Sequence, residues 1–241
     1  MDDELDQLLA ELKLETTRQR LPEELLRAAT DQPSYASFLA RILREEVYRR
    51  RTRALETRLD NAKIPERFSL ATFPFDRQPG VHAPTIRQLA ELDFVTTARN
   101  VVFIGPTGIG KTGLATGLLI KAIENGYRGL FVRAQDLFDE MYQSLADRST
   151  RRLLDRLCRI DILLIDEMGY LNLRPEQTNI FFKLMEERYR KKATLLTTNL
   201  DYDDWFSFLG QKPMVAALLD RLRHHCTTLR IEGETLRSPS D

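Results

Sequence analysis

The chain has 241 residues, enough to bury an ordinary core without disulfide staples, and its 36 basic and 36 acidic residues cancel to zero formal charge. Two distant cysteines, Cys158 and Cys226, and three histidines out of ligand spacing with them argue against a disulfide framework or a zinc site. No apolar stretch approaches membrane-spanning length and the start Asp2-Asp3-Glu4 is the reverse of a basic signal peptide, so the expected location is the cytoplasm, with no membrane partner.

Residues 1–62 read as a small helical module, with no glycine before Gly80. A first segment, Asp2 to Arg20, carries Leu5, Leu8, Leu9, Leu12 and Leu14. A second, Pro22 to Ala29, opens with proline at a first helical position. A third runs from Ser34 through Leu39, Ile42, Leu43 and Val47 to Leu59, with arginines opposite the apolar positions. Met1–Glu24 is acidic on balance and Arg41–Arg58 basic, with Arg49, Arg50, Arg51 and Arg53 crowded together. That cluster is open to DNA, to a partner protein or to a neighbouring subunit.

Residues 63–84 form a linker with Pro65, Phe68, Phe73, Pro74, Phe75 and Pro79, in which Phe73 or Phe75 is the candidate to lie against a nucleotide base. Residues 85–241 then alternate. The pattern predicts a helix over 85–97, strand 101–104, helix 111–125, strand 129–133, helix 135–146, a basic helix near 150–158 and strand 161–165. Helix 175–191, strand 193–198, helix 213–225 and strand 227–231 complete it, and Ser238–Asp241 are expected to fray. Apolar strands separated by amphipathic helices predict an α/β fold, a parallel sheet flanked by helices.

Between the first strand and its helix stands Gly105-Pro106-Thr107-Gly108-Ile109-Gly110-Lys111-Thr112, followed by Gly113. Strand, glycine-rich loop and helix in that order make a P-loop, whose backbone N–H groups and helix N-terminus receive a nucleoside triphosphate. Lys111 is placed to reach the β- and γ-phosphates, and the Thr112 hydroxyl to complete the shell of Mg2+. Downstream, the apolar run Ile162–Ile165 ends in Asp166-Glu167, two carboxylates at the sheet edge where open α/β folds bind ligands. Asp166 is the expected metal partner and Glu167 the general base, or the group that orients the attacking water. Asn199, at the tip of the strand 193–198, is positioned to hold that water or the γ-phosphate without adding charge.

These motifs, followed by Asp220-Arg221-Leu222 late on a helix, resemble in their order a AAA+ ATPase of the initiator and helicase-loader clade. The resemblance implies that Arg221 reaches the ATP of a neighbouring subunit, which gives a homo-oligomer formed with ATP. More closely, Asp93-Phe94-Val95, Asp166-Glu167-Met168-Gly169-Tyr170-Leu171, Thr197-Thr198-Asn199-Leu200, Trp205, the run Leu219 to His225 and the end Arg230 to Arg237 are similar to the IstB family over nearly the whole chain. That family comprises ATP-dependent helpers encoded beside a transposase in bacterial insertion sequences. Like DnaC-type loaders it lacks the helical lid found after the core of most AAA+ proteins. The space after residues 227–231 fits that expectation, and Arg237 is expected to take over part of the lid arginine's role. The sequence departs at Ile109, where a small polar residue is commoner, and at Gly113, which costs the helix up to ~1 kcal/mol against alanine.

The implied function is an ATPase that binds double-stranded DNA, assembles on it and assists a cognate transposase. A DnaC-like replicative helicase loader is the alternative, and a small-molecule kinase a distant third. Arg148, Arg151, Arg152, Arg156 and Arg159 are the first candidates for DNA contact, and Arg188, Arg190, Lys191 and Lys192 the second. Either group would bind phosphates without regard to sequence.

Overall fold

A computed structural model describes residues 3–169, 171–210 and 213–236. The chain divides into two compact units, Met1–Thr57 and Arg58–Asp241. The first is built from α1 (Asp3–Glu11), α2 (Glu15–Asp31) and most of α3 (Tyr35–Asn61), around buried Leu9, Leu21 and Ile42 with Leu14 and Phe38 packed against them. The first helical break differs from the expected one. It falls at Leu12–Leu14, where Lys13 adopts φ 54°, while Pro22 lies inside α2. The cause is long-range. The Arg50 guanidinium donates to the carbonyls of Leu12 (3.4 Å) and Lys13 (2.7 Å), taking up acceptors freed at the end of α1. Glu46, which binds Arg50 at 3.0 Å, also accepts the Thr17 N–H at 2.9 Å. Leu21 and Glu24 are buried on either side of Pro22, and this packing outweighs its missing N–H.

In the second unit, α4 (Ala83–Ala90) and α5 (Asp93–Thr96) replace the single helix expected over 85–97. Buried Leu92 sits at φ 67° between them, turning its side chain into the core at the expense of helical continuity. Five strands follow: β1 (Asn100–Ile104), β2 (Gly129–Arg133), β3 (Ile162–Met168), β4 (Ala193–Thr198) and β5 (Cys226–Arg230). They pair in the order β2-β3-β4-β1-β5, every pair parallel. The connections carry α6 (Lys111–Glu124), α7 (Ala134–Ala146), α8 (Thr150–Cys158), α9 (Pro175–Arg188), α10 (Trp205–Leu209) and α11 (Pro213–His224).

Both sheet faces are covered, which explains unbroken apolar strands instead of alternating ones. Val102, Ile165 and Leu196 share one register row and enter the core formed with α7, α9 and α11. The alternate residues Val101, Leu164 and Leu195 are fully buried on the face taken by α6. The third strand runs past its expected end at 165. Register shifts between Ile165 and Met168, so the two carboxylates occupy a bulge before Met168 pairs again with Thr198. No helix among the described residues is long and apolar enough to cross a membrane.

One expected surface cation belongs to the interior. Arg188, proposed from sequence for DNA contact, is 1% exposed. Its guanidinium donates to the carbonyls of Leu157 (2.7 Å), Ile160 (2.9 Å) and Ala193 and to the Thr194 hydroxyl at 3.1 Å. Burial holds its pKa down, at about 10. Arg188 ends α9 and pins the end of α8 to the start of β4, which is why the helix stops short of 191. Replacing Arg188 with methionine strands three buried acceptors at ~1–3 kcal/mol each. Chemical denaturation should register a loss of ~3 kcal/mol or more with little change in slope.

Candidate nucleotide site

The loop after β1 is arched by Gly108 and Gly110 at φ 87° and 92°, left-handed angles that a side chain would strain. Gly110 N-caps α6, so the positive end of that helix opens where the loop does. Ile109 is 1% exposed, its side chain packed against Gly105 and its carbonyl accepting from Gln78. The Lys111 ammonium lies in the mouth of the loop and donates to the carbonyls of Gly105 (2.7 Å) and Pro106 (2.6 Å).

The expected partners converge on this loop. The Thr112 hydroxyl donates to Asp166 at 2.9 Å, joining the start of α6 to the end of β3. Asp166 is buried, whereas Glu167 is exposed and held at φ 59°. Asn199 stands beside Gly169 across the same edge, its amide oxygen 3.0 Å from where a Cβ on Gly169 would lie. Among the described residues no cluster of three His, Cys, Asp or Glu groups suits a metal. Thr112 and Asp166 are hard oxygen donors of the kind that hold Mg2+ together with phosphates and water, so the residues present fit that ion.

A cavity of about 700 Å³ spans these elements, lined by Thr107, Gly108, Gly110, Lys111, Thr112, Gly113, Glu167 and Asn199. Gly105, Pro106 and Ile109 lie outside its lining, and Asp166 touches it through Thr112. One wall is aromatic. Phe68 and Phe73 from the segment after α3 line the cavity, while Phe75 packs edge-on to Phe73 at 4.9 Å and stays out. Phe73 rests against Gly110, Phe68 against Gly113 and Leu70 against Gly117. A Cβ at Gly113 would meet the Phe68 ring at 3.6 Å, an ordinary van der Waals contact, whereas one at Gly117 would meet Leu70 at 2.7 Å.

Sequence reading missed two further contributors. Buried Gln78 donates from Nε2 to the carbonyls of Ile109 (3.3 Å) and Glu234 (3.0 Å), and the Leu236 N–H donates to the Gly108 carbonyl at 2.8 Å. Leu236 also lines the cavity. The segment 231–236 is therefore a strap beside the phosphate loop; its sequence was singled out by family resemblance, but nothing local announced its contact with Gln78. The other omission is Thr197, a strand residue whose hydroxyl donates to Asp166 at 2.5 Å and accepts the Glu167 N–H at 2.9 Å. Arg237 and Ser238–Asp241 lie outside the described residues.

Arg221 is elsewhere. It lines a separate cleft with Asn100, Phe182 and Tyr189, 3.5 Å from Glu186 and over the Tyr189 ring at 5.9 Å. Arg148, Arg151, Arg152, Arg156 and Arg159 line a shallow groove of about 680 Å³ along α8. Carboxylates engage Arg151 (Asp155 and Glu187) and Arg156 (Glu140), while Arg148, Arg152 and Arg159 are exposed.

Replacing Lys111 with alanine removes the loop's ammonium without touching the core. The expected result is weakening of ATP binding by about 30-fold to a few thousand-fold, the range for truncating one side of a buried charge pair. Titration with a fluorescent ATP analogue measures it.

A parallel sheet ordered 2-3-4-1-5, with a glycine-rich loop after its first strand and adjacent carboxylates near the end of its third, has the P-loop fold of the AAA+ type. The solved structures agree at the level of fold. DnaI superposes with a TM-score of 0.60 at 22% identity over 69% of this chain and 92% of its own. DnaA bound to AMPPCP and single-stranded DNA gives 0.61 at 18% over 71% and 52%. Within that class the chain belongs to the IstB-like ATP binding protein family, whose profile matches residues 7–240. An insertion sequence IS21 protein of Pseudomonas aeruginosa, named for ATP binding, is 38% identical over 97% of this chain and 88% of its own length. One from IS5376 of Geobacillus stearothermophilus, named likewise, is 35% identical over 87% and 84%.

Proposed function

We propose that this chain is an ATPase that assembles on double-stranded DNA with ATP and presents the DNA to the transposase of its insertion sequence. The observation that carries the reading is the convergence of Lys111, Thr112, Glu167 and Asn199 on one cavity at the C-terminal edge of the sheet. Lys111 and the loop amides bind the phosphates, Asn199 holds the γ-phosphate or the water, and Glu167 takes the proton of the attacking water. Thr112 and Asp166 would hold Mg2+, which supplies charge neutralisation at the phosphates. Arg221, outside its own chain's cavity, serves the ATP of a neighbouring copy, so that assembly and turnover are linked.

In this reading residues 85–241 are the ATPase core, 63–84 its linker and 1–62 a helical module for DNA, partner or self-assembly, all in the cytoplasm. The groove along α8, with Arg148, Arg152 and Arg159 exposed beside Arg151 and Arg156, suits a phosphate backbone. Bending target DNA would favour strand transfer, because a smoothly bent short site stores about 1–6 kcal/mol. The test is sedimentation of a Glu167→Gln chain with duplex DNA, in ATP and in ADP. A large DNA-bound species confined to ATP supports the proposal. A monomer that leaves the DNA free refutes it and favours a helicase-loading adaptor.

A further inference from the structure

The bulge at the end of β3 creates a backbone problem that one side chain solves. Where Ile165 pairs with Leu196 and Met168 with Thr198, Asp166 and Glu167 have no strand partner in β4. The Glu167 N–H, displaced from the ladder by a left-handed φ of 59°, needs an acceptor, and the Thr197 hydroxyl provides it at 2.9 Å. That hydroxyl spends its single proton on Asp166 Oδ1 at 2.5 Å, the oxygen that also accepts from Thr112 at 2.9 Å. Thr197 is 1% exposed and borders the cavity floor beside both carboxylate residues. A β-branched residue fits the strand and fixes the hydroxyl's direction.

The geometry points to Thr197 as the positioning residue of the hydrolytic site, acting through both carboxylate residues. Its accepted bond holds Glu167 in the left-handed conformation that exposes the carboxylate, and its donated bond orients Asp166 toward Thr112. The inference rests on the reading of Asp166 and Glu167 proposed above. A residue that only stabilised the sheet would change folding; a positioning residue changes turnover at constant nucleotide affinity.

The test compares T197V, which keeps the shape and loses the hydroxyl, with T197S, which keeps the hydroxyl, and with E167Q as reference. For T197V, kcat for ATP should fall about 10–100-fold, the usual size for loss of a supporting hydrogen bond behind a catalytic group. Binding of a fluorescent ATP analogue should stay within about threefold of wild type, as for a group needed only in the transition state. Exchange of the Glu167 amide, released from its acceptor, should accelerate in T197V and not in T197S, which should also recover turnover. A wild-type kcat in T197V overturns the inference, as does a T197S chain as slow as T197V, or affinity that falls in step with turnover. Should T197V not fold, T197C, with a poor donor of similar size, carries the same comparison. An E167Q chain that hydrolyses ATP at the wild-type rate would instead remove the underlying reading. An inactive E167Q beside a fully active T197V removes the role of Thr197 alone.

Discussion

A Glu167→Gln chain is expected to bind ATP like the wild type and to hydrolyse it about 10²–10⁴-fold more slowly, the span of a general base's contribution. The substitution is nearly isosteric, and nothing that holds the backbone is lost, because the Thr197 hydroxyl bonds the residue 167 N–H whatever the side chain. Asp166 keeps both of its hydroxyl donors. What disappears is the carboxylate facing the cavity, and an amide does not take a proton from water. Phosphate release over a single turnover, measured beside nucleotide titration, separates the two effects. Turnover near the wild-type rate would remove Glu167 from the chemistry and leave it as a residue of the cavity wall.

An Arg221→Ala chain should also bind ATP normally yet lose the share of turnover that depends on assembly, by about 10³-fold or more if Arg221 acts as an arginine finger. The argument is one of distance. Arg221 shares its cleft with Asn100, the first residue of β1, whereas the phosphate loop follows Ile104, the last. Four residue steps of extended strand separate them by about 13 Å, roughly twice the reach of an arginine side chain. An arginine there has no access to its own chain's phosphates, and Glu186 and Tyr189 hold it at the surface. Mixing gives the sharper test. Arg221→Ala subunits have complete ATP sites, and Glu167→Gln subunits have intact arginines, so a mixture should regain turnover that neither has alone. An Arg221→Ala chain as active as wild type, or a mixture with no gain, would sink the assignment.

The parts of this molecule that could be read from sequence are those whose causes are local. Val101–Ile104, the glycine loop and Asp166-Glu167 each combine residue type and order within a few positions, and the fold places them as that order requires. Phe73 and Phe75 were joint candidates, although core packing is the commoner role of a linker aromatic; Phe73 lines the cavity and Phe75 does not, while Phe68, which also lines it, was passed over. Its contact with Gly113, about 45 residues on, is long-range, and nothing local announces it. The break before α2 escaped notice because Arg50 caps α1 from the third helix, and local propensity favours Pro22 as a helix start. Arg188 read as one more surface cation, since nothing near it announces the carbonyls at 157 and 160 that draw it inside. Thr197 was named only within the run Thr197-Thr198-Asn199-Leu200, and the bulge on the adjacent strand is what makes its hydroxyl matter.

The strap formed by residues 231–236 bears on the thermodynamics of ligand capture. Gln78 bonds both the strap and the underside of the loop, and Leu236 holds Gly108, so the arch is braced by chain from either side of the sheet's sequence. A loop braced in this way is preorganised, and the entropy of ordering it is charged to folding and not to association. ATP binding should then proceed with a small heat-capacity change, lacking the large negative value that accompanies segments ordering around a ligand. Loosening the brace at Gln78 would transfer that ordering to the binding step, making affinity more steeply temperature-dependent while every group that touches the phosphates stayed in place.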